Sequence, residues 1–384
     1  MSGGVDQMLE GKRVCVCAGS GGVGKTTASA AIALGMAAGG AKVAVVTIDP
    51  ARRLANALGL EELQNDPRRV EPERLATGGL EIAGELWAMM LDPKRTFDEL
   101  IERVAPTPER AEEIKANRVY RELSTAVSGS QEFTAIAKLY DLDQEHKFDL
   151  LVLDTPPSRN ALDFLDAPQR LNSFLEGRAL KALIRPTGVG MRVLGRGASP
   201  LLAGLRRVTG VDLVTDLATF FQLLGDMTAD FSERARRVEQ LLRARTTAFL
   251  LVSSAEREPI EEAIWFHRTL ERTGLPFAGV VVNRVHHDLL SGSEPADVGA
   301  ALRRTALDPD LAARVAENFR DYHLLARRDH HNIRRLARGL GDHPLLMVPQ
   351  LDEDVHDLDG LLQMHRYLFA SAAERERLIA ELVA

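Results

Sequence analysis

Six short apolar runs punctuate the chain, and each stops at a polar or turn-forming residue. Arg13–Ala18 ends in glycines, Val43–Ile48 stops at Asp49-Pro50, and Asp149–Leu153 stops at Asp154-Thr155-Pro156-Pro157. Thr247–Ser253, Phe277–Asn283 and Leu345–Pro349 complete the set. Runs this short, continuous and rich in valine, isoleucine and leucine predict strands buried on both faces. Small-residue and amphipathic helical patterns, Lys25–Ala38 and Pro259–Arg272, lie between them. Strands alternating with helices predict an α/β protein with a doubly wound, mostly parallel sheet, whose ligands bind beyond the carboxyl ends of the strands.

The stretch from Leu86 to Leu142 reads mostly helical, as does the long stretch before Thr247, where Pro186, Gly188, Gly190, Gly195 and Gly197 interrupt the periodicity. The expected organisation is one domain over 1–384, with mainly helical insertion segments at 86–142 and 165–245. Residues 247–384 then complete the sheet-bearing core. No internal repeat is evident.

Gly19-Ser20-Gly21-Gly22-Val23-Gly24-Lys25-Thr26 fits the phosphate-binding pattern G-x-x-x-x-G-K-S/T, after a buried strand and at the start of a helix. Glycines let backbone N–H groups converge on phosphate oxygens, and the helix N-terminus adds its positive dipole end. In such a loop Lys25 holds the β- and γ-phosphates and the Thr26 hydroxyl faces Mg²⁺. The expected ligands are therefore ATP and Mg²⁺. Hydrolysis also needs a positioned water and support behind the metal, and two strands deliver Asp49 and Asp154 at their ends. A strand-end aspartate can equally be a helix cap or turn residue.

These residues resemble the arsenite-pump and tail-anchored-protein-targeting ATPases, the branch of P-loop dimeric ATPases with a deviant Walker A motif. The likeness covers most of the chain and implies a P-loop NTPase-type fold with a helical insertion subdomain. Gly21-Gly22-Val23-Gly24-Lys25-Thr26-Thr27 resembles that family's P-loop, Asp49-Pro50-Ala51 its first switch, and Asp154-Thr155-Pro156-Pro157-Ser158 its second. With strand order, the resemblance assigns Asp49 to orienting the attacking water and Asp154 to the magnesium side. It also implies that Asn283 and Pro349 lie where the family grips adenine.

Three departures refine the expectation. The family's signature lysine precedes the paired glycines and reaches across a dimer, but that position is Ser20 here. A hydroxyl cannot replace a long cationic arm at a phosphate. Slow hydrolysis, a substitute residue, or a heterodimer with a lysine-bearing paralogue would each answer this, beside a plain homodimer. The only cysteines, Cys15 and Cys17, share one face of an apolar strand, so core packing is expected. Without the C-x-x-C pair of eukaryotic members no zinc is expected, and the cysteine-built metalloid site of the arsenite pumps has no counterpart. The second switch lacks the Gly-His pair of better-known members and resembles that of an actinobacterial branch. In the first switch Arg52 and Arg53 could place a charge near the phosphates or be solvated helix-start residues.

Composition bears on partners. The 48 Lys+Arg against 55 Asp+Glu leave a net charge of −7, which gives no drive toward nucleic acid. No stretch reaches the length of a membrane span and the start is polar and acidic, so a cytoplasmic protein is expected. Between Arg178 and Gly210, seven basic residues interleave with leucines without one acid. Such a segment could cover a hydrophobic or membrane-protein client, touch a membrane transiently, or be an ordinary helical cap. The leading expectation is a dimeric Mg-ATP-dependent ATPase coupling nucleotide state to handling of a hydrophobic protein client. The alternatives are the ATPase subunit of an arsenite-like anion exporter, a partition or division-site switch, and a degenerate nucleotide-binding scaffold. His286-His287 and His330-His331 are expected to be solvated surface, and Trp87 and Trp265 core anchors.

Overall fold

The computed structural model describes residues 3–48, 52–76, 79–118, 120–121, 130–155, 220, 223, 227–288, 295–302, 304, 308–351 and 353–383. Among these the chain forms two compact units, one of residues 1–90, 145–161 and 243–384, the other of residues 91–144 and 162–242.

The first unit is built on an eight-stranded sheet of β1 (Val14–Ala18), β2 (Lys42–Thr47), β3 (Arg68–Arg69), β4 (Glu85–Met90), β5 (Leu150–Asp154), β6 (Thr247–Ser254), β7 (Phe277–Val285) and β8 (Leu345–Pro349). Their order is β3-β4-β2-β5-β1-β6-β7-β8, and every pairing is parallel except β3 with β4. β1 is central. The chain leaves it toward β2 on one side and later takes β6 to β8 on the other, so the crevice beyond β1 is a topological switch point. β1, β5 and β6 are buried along their whole length, as continuous apolar runs require.

The Lys25–Ala38 helix is made largely of alanine and other small residues, nearly all buried. Alanine favours the helix, and the small side chains let it lie close to its neighbours. The Leu358–Phe369 helix packs against it. Cys15 and Cys17 are fully buried in this core with their sulfurs 3.9 Å apart, as expected.

β4 departs from the sequence reading, which took the chain from Leu86 onward as helical. In this strand half-exposed Glu85 and Trp87 alternate with buried Leu86 and Ala88. Trp87 is only partly buried, with its indole N–H donating to Glu85 at 3.0 Å and Lys42 lying 5.3 Å over its ring. Trp265 is not a core anchor, being 45% exposed. β3 is a pair of exposed arginines at the sheet edge, where charge discourages pairing with another chain.

The second unit is helical where described, with helices Pro93–Val104, Pro108–Ala116, Ser130–Gln144 and most of Thr228–Arg243. Asp92 and Thr107 cap the first two by accepting from the N–H groups of Arg95 and Arg110. Leu100, Ile114, Tyr120, Phe220, Leu223 and Phe231 form its core. The basic, leucine-rich segment 178–210 lies outside the described residues. No helix among the described residues is long and apolar enough to cross a membrane.

Gly84 joins the turn after the Lys25–Ala38 helix to β4. Its N–H donates to Ala37 at 2.9 Å, and a Cβ there would fall on the backbone of Gly40 and Ala41. Gly39 has φ −71 and room for a methyl group. Gly84→Ala should lower the urea unfolding free energy by about 2 kcal/mol, whereas Gly39→Ala should raise it by about 0.5 kcal/mol through the unfolded chain.

Candidate active site

β1 runs into the loop at Gly19, where φ is +152 and a Cβ would fall on the carbonyl oxygen of Val252 in β6. At the loop's other end Gly24, with φ +90, caps the Lys25–Ala38 helix, and a Cβ there would collide with the Asn283 amide. Only glycine satisfies both the conformation and the approach at these two points. The helix has no acidic residue in its first turn, so the positive end of its dipole is not neutralised from within.

Lys25 is 6% exposed, and its ammonium folds back to donate to the Ser20 carbonyl at 2.6 Å. The Ser20 hydroxyl donates to Glu262 on the Arg257–Thr273 helix. Val23 is buried in the core beneath the loop, and its carbonyl accepts from the Asn283 amide at 3.0 Å. β7 thereby pins the loop from the side.

Asp154, at the end of β5, is 1% exposed. Its Oδ2 accepts from the Thr26 hydroxyl at 2.7 Å and from the Thr47 hydroxyl of β2 at 2.8 Å. Parallel pairing places it level with Cys17 of β1 and Thr47 of β2. Thr155 then turns its hydroxyl to the Cys17 carbonyl at 2.8 Å.

A cavity of about 320 Å³ opens beside the loop. Gly22, Gly24, Lys25, Thr26, Thr27, Asn283 and Pro349 all line it, from three separated parts of the chain. Neither exposed Gly21 nor buried Val23 lines it, the Val23 carbonyl being taken up by the Asn283 amide. Asp154 stands behind Thr26 rather than in the wall. Asp49 lies outside the described residues, while Arg53, from the same switch, is in the wall.

Sequence reasoning did not single out Arg284. It sits at φ +57, donates to the Gly22 carbonyl at 3.4 Å and pairs with Asp354 at 3.2 Å across the cavity. A left-handed arginine beside a binding loop is a strained position that residue identity does not reveal. The reading of His286-His287 as solvated surface needs correction. His286 is bound through its backbone N–H and ring to buried Asp329 at 3.0 and 2.7 Å, and burial pushes the pKa of His287 below the ordinary histidine value. His330 and His331 are exposed.

A glycine-rich loop running from a central strand into a helix N-terminus at the sheet's switch point is the phosphate-binding architecture of P-loop α/β proteins. Residues 12–328 match the family described as "Anion-transporting ATPase", and the chain belongs to that family. It is a nucleotide-binding ATPase. Similar proteins include "ATPase get3" of Schizosaccharomyces pombe, 24% identical over 307 residues that cover 80% of this chain and 82% of that one. "ATPase GET3" of Malassezia globosa is 24% identical over 275 residues, 70% of this chain and 71% of that one. "Putative arsenical pump-driving ATPase 1" of Aquifex aeolicus is 26% identical over 278 residues, 71% and 63% of the two chains.

Thr47 touches Asp154 but does not line the cavity. Thr47→Val removes one donor to a buried carboxylate while keeping side-chain shape. It should cost about 1.5–3 kcal/mol in urea unfolding.

Proposed function

We propose that the chain binds Mg-ATP in the cavity beside Gly19–Thr27, hydrolyses it as half of a dimer, and uses the resulting conformational change to handle a hydrophobic protein client. The observation carrying the ATP half is the convergence of the loop, Thr26 held by Asp154, and Asn283 on one cavity.

In this reading Lys25 leaves the Ser20 carbonyl for the β- and γ-phosphates, because an anionic oxygen is a stronger acceptor than a neutral carbonyl. Backbone N–H groups of Gly22 to Thr26 and the helix end supply the rest of the phosphate cradle. Thr26 presents a hard oxygen, held in place by Asp154, which suits Mg²⁺. Bound there, Mg²⁺ would neutralise charge on the phosphates. Asp49 orients the attacking water. Asn283 and Pro349 flank the base.

Ser20 leaves the site without the family's signature lysine. Arg53 in the cavity wall is a candidate substitute in cis, and a lysine-bearing paralogue in a heterodimer is the other. The hydrophobic client is favoured over a soft metalloid because both cysteines are wholly buried. The exporter reading keeps support from the family description and the Aquifex relative's name.

Phosphate release by the purified chain, with its mass measured with and without nucleotide, tests the proposal. Lys25→Ala and Asp49→Asn should each lower turnover about 10²-fold or more, and Arg53→Ala about 10-fold if it acts in cis. Turnover unchanged in Lys25→Ala would sink the reading. Activity only after co-expression with the paralogue would place the missing cation on a partner.

A further inference from the structure

The Arg257–Thr273 helix carries His267 and Glu271 one turn apart, so both side chains project from the same face. The turn between the Pro309–Leu340 helix and β8 brings His343 to that face. One donor atom from each of the three residues falls within a cluster no more than 4.8 Å across, the one such His, Cys, Asp or Glu cluster among the described residues.

The buried member is unsatisfied. His267 is 2% exposed, and neither ring nitrogen has a hydrogen-bond partner. Glu271 stands 3.7 Å from its Nε2, beyond hydrogen-bonding distance. The Gly339 backbone interacts with the ring, but neither nitrogen closes a hydrogen bond of normal geometry. The ring packs against Phe277 at 4.5 Å and edge-on to His343 at 5.0 Å. Buried polar atoms are nearly always paired, so an imidazole whose nitrogens close no hydrogen bond of normal geometry, beside a second imidazole and a carboxylate, retains the donor capacity to bind a ligand.

We propose that His267, Glu271 and His343 together bind one divalent transition-metal ion of the Zn²⁺ class. Two imidazoles and one carboxylate form a borderline donor set that suits Zn²⁺ or Co²⁺ and is poor for Mg²⁺ or Ca²⁺. Ligand bonds of about 2.0–2.2 Å require the donors to draw together, and exposed Glu271 is free to make that movement around the fixed His267. The ion would tie the helix to the turn leading into β8, whose far end, Pro349, lines the nucleotide cavity. None of the three ligands lines that cavity, so the site is separate from the Mg-ATP position. This departs from the sequence expectation of no zinc, which rested on the missing cysteine pair and did not weigh a helix-and-turn histidine set.

The test is titration of chelator-treated, nucleotide-free full chain with ZnCl₂ by calorimetry and with CoCl₂ by visible absorption, alongside Glu271→Gln and His343→Asn. Both substitutions leave the buried His267 ring itself in place, and circular dichroism melts verify their folding. The expected result is one equivalent of Zn²⁺ per chain, Co²⁺ d–d bands of a four-coordinate site, and a melting temperature raised by Zn²⁺. Affinity should fall at least 10-fold in each variant. Failure of the wild-type chain to take up a saturable equivalent would overturn the assignment. Wild-type affinity in both folded variants would overturn it too, by placing the ion elsewhere, for example on exposed His330 and His331.

Discussion

A single buried carboxylate organises the carboxyl-end edge of the sheet, where the glycine-rich loop begins. Asp154 Oδ2 accepts from Thr26 and Thr47 together, tying β5 to β2 on one side and to the first turn of the Lys25–Ala38 helix on the other. A buried carboxylate is costly unless its lone pairs are met. Holding it therefore demands that three elements keep their register. That demand places the Thr26 hydroxyl, and with it the start of the phosphate loop, relative to the sheet.

The loop is held from its other side by packing rather than charge. Gly19 lies against the Val252 carbonyl and Gly24 against the Asn283 amide, so β6 and β7 leave it little freedom. Within that frame the Lys25 ammonium rests on the Ser20 carbonyl. Ser20 is itself held through its hydroxyl by Glu262. A lysine substituted at Ser20 would meet that carboxylate in its own chain, so Glu262 bears on any attempt to restore the family's cationic arm.

What could be read from the sequence follows the range of the interactions involved. β1, β2 and β5 to β8 were legible because strands buried on both faces are written as unbroken apolar runs. The phosphate loop was legible because its chemistry is local. β4 was not, since half-exposed Glu85 and Trp87 break the run, and β3 offers only two exposed arginines. Asn283 and Pro349 entered through a family resemblance, and the structure places both at the cavity. Arg284 depends on a backbone conformation, and His286 on Asp329 in a distant helix, neither of which a linear pattern encodes. The helix pair His267 and Glu271 was readable in principle, but the third member, His343, arrives through tertiary packing alone.

In the proposed function, nucleotide seats against the 19–27 loop and the ends of β7 and β8 and draws Lys25 off the Ser20 carbonyl. Hydrogen–deuterium exchange of the full chain with and without Mg-ATP is the decisive measurement. Adding nucleotide should slow exchange at the backbone amides of residues 20–27, 283–285 and 350–356, with no such change in Lys25→Met. Unchanged exchange across the 20–27 loop at saturating Mg-ATP, or equal protection in the lysine variant, would contradict it.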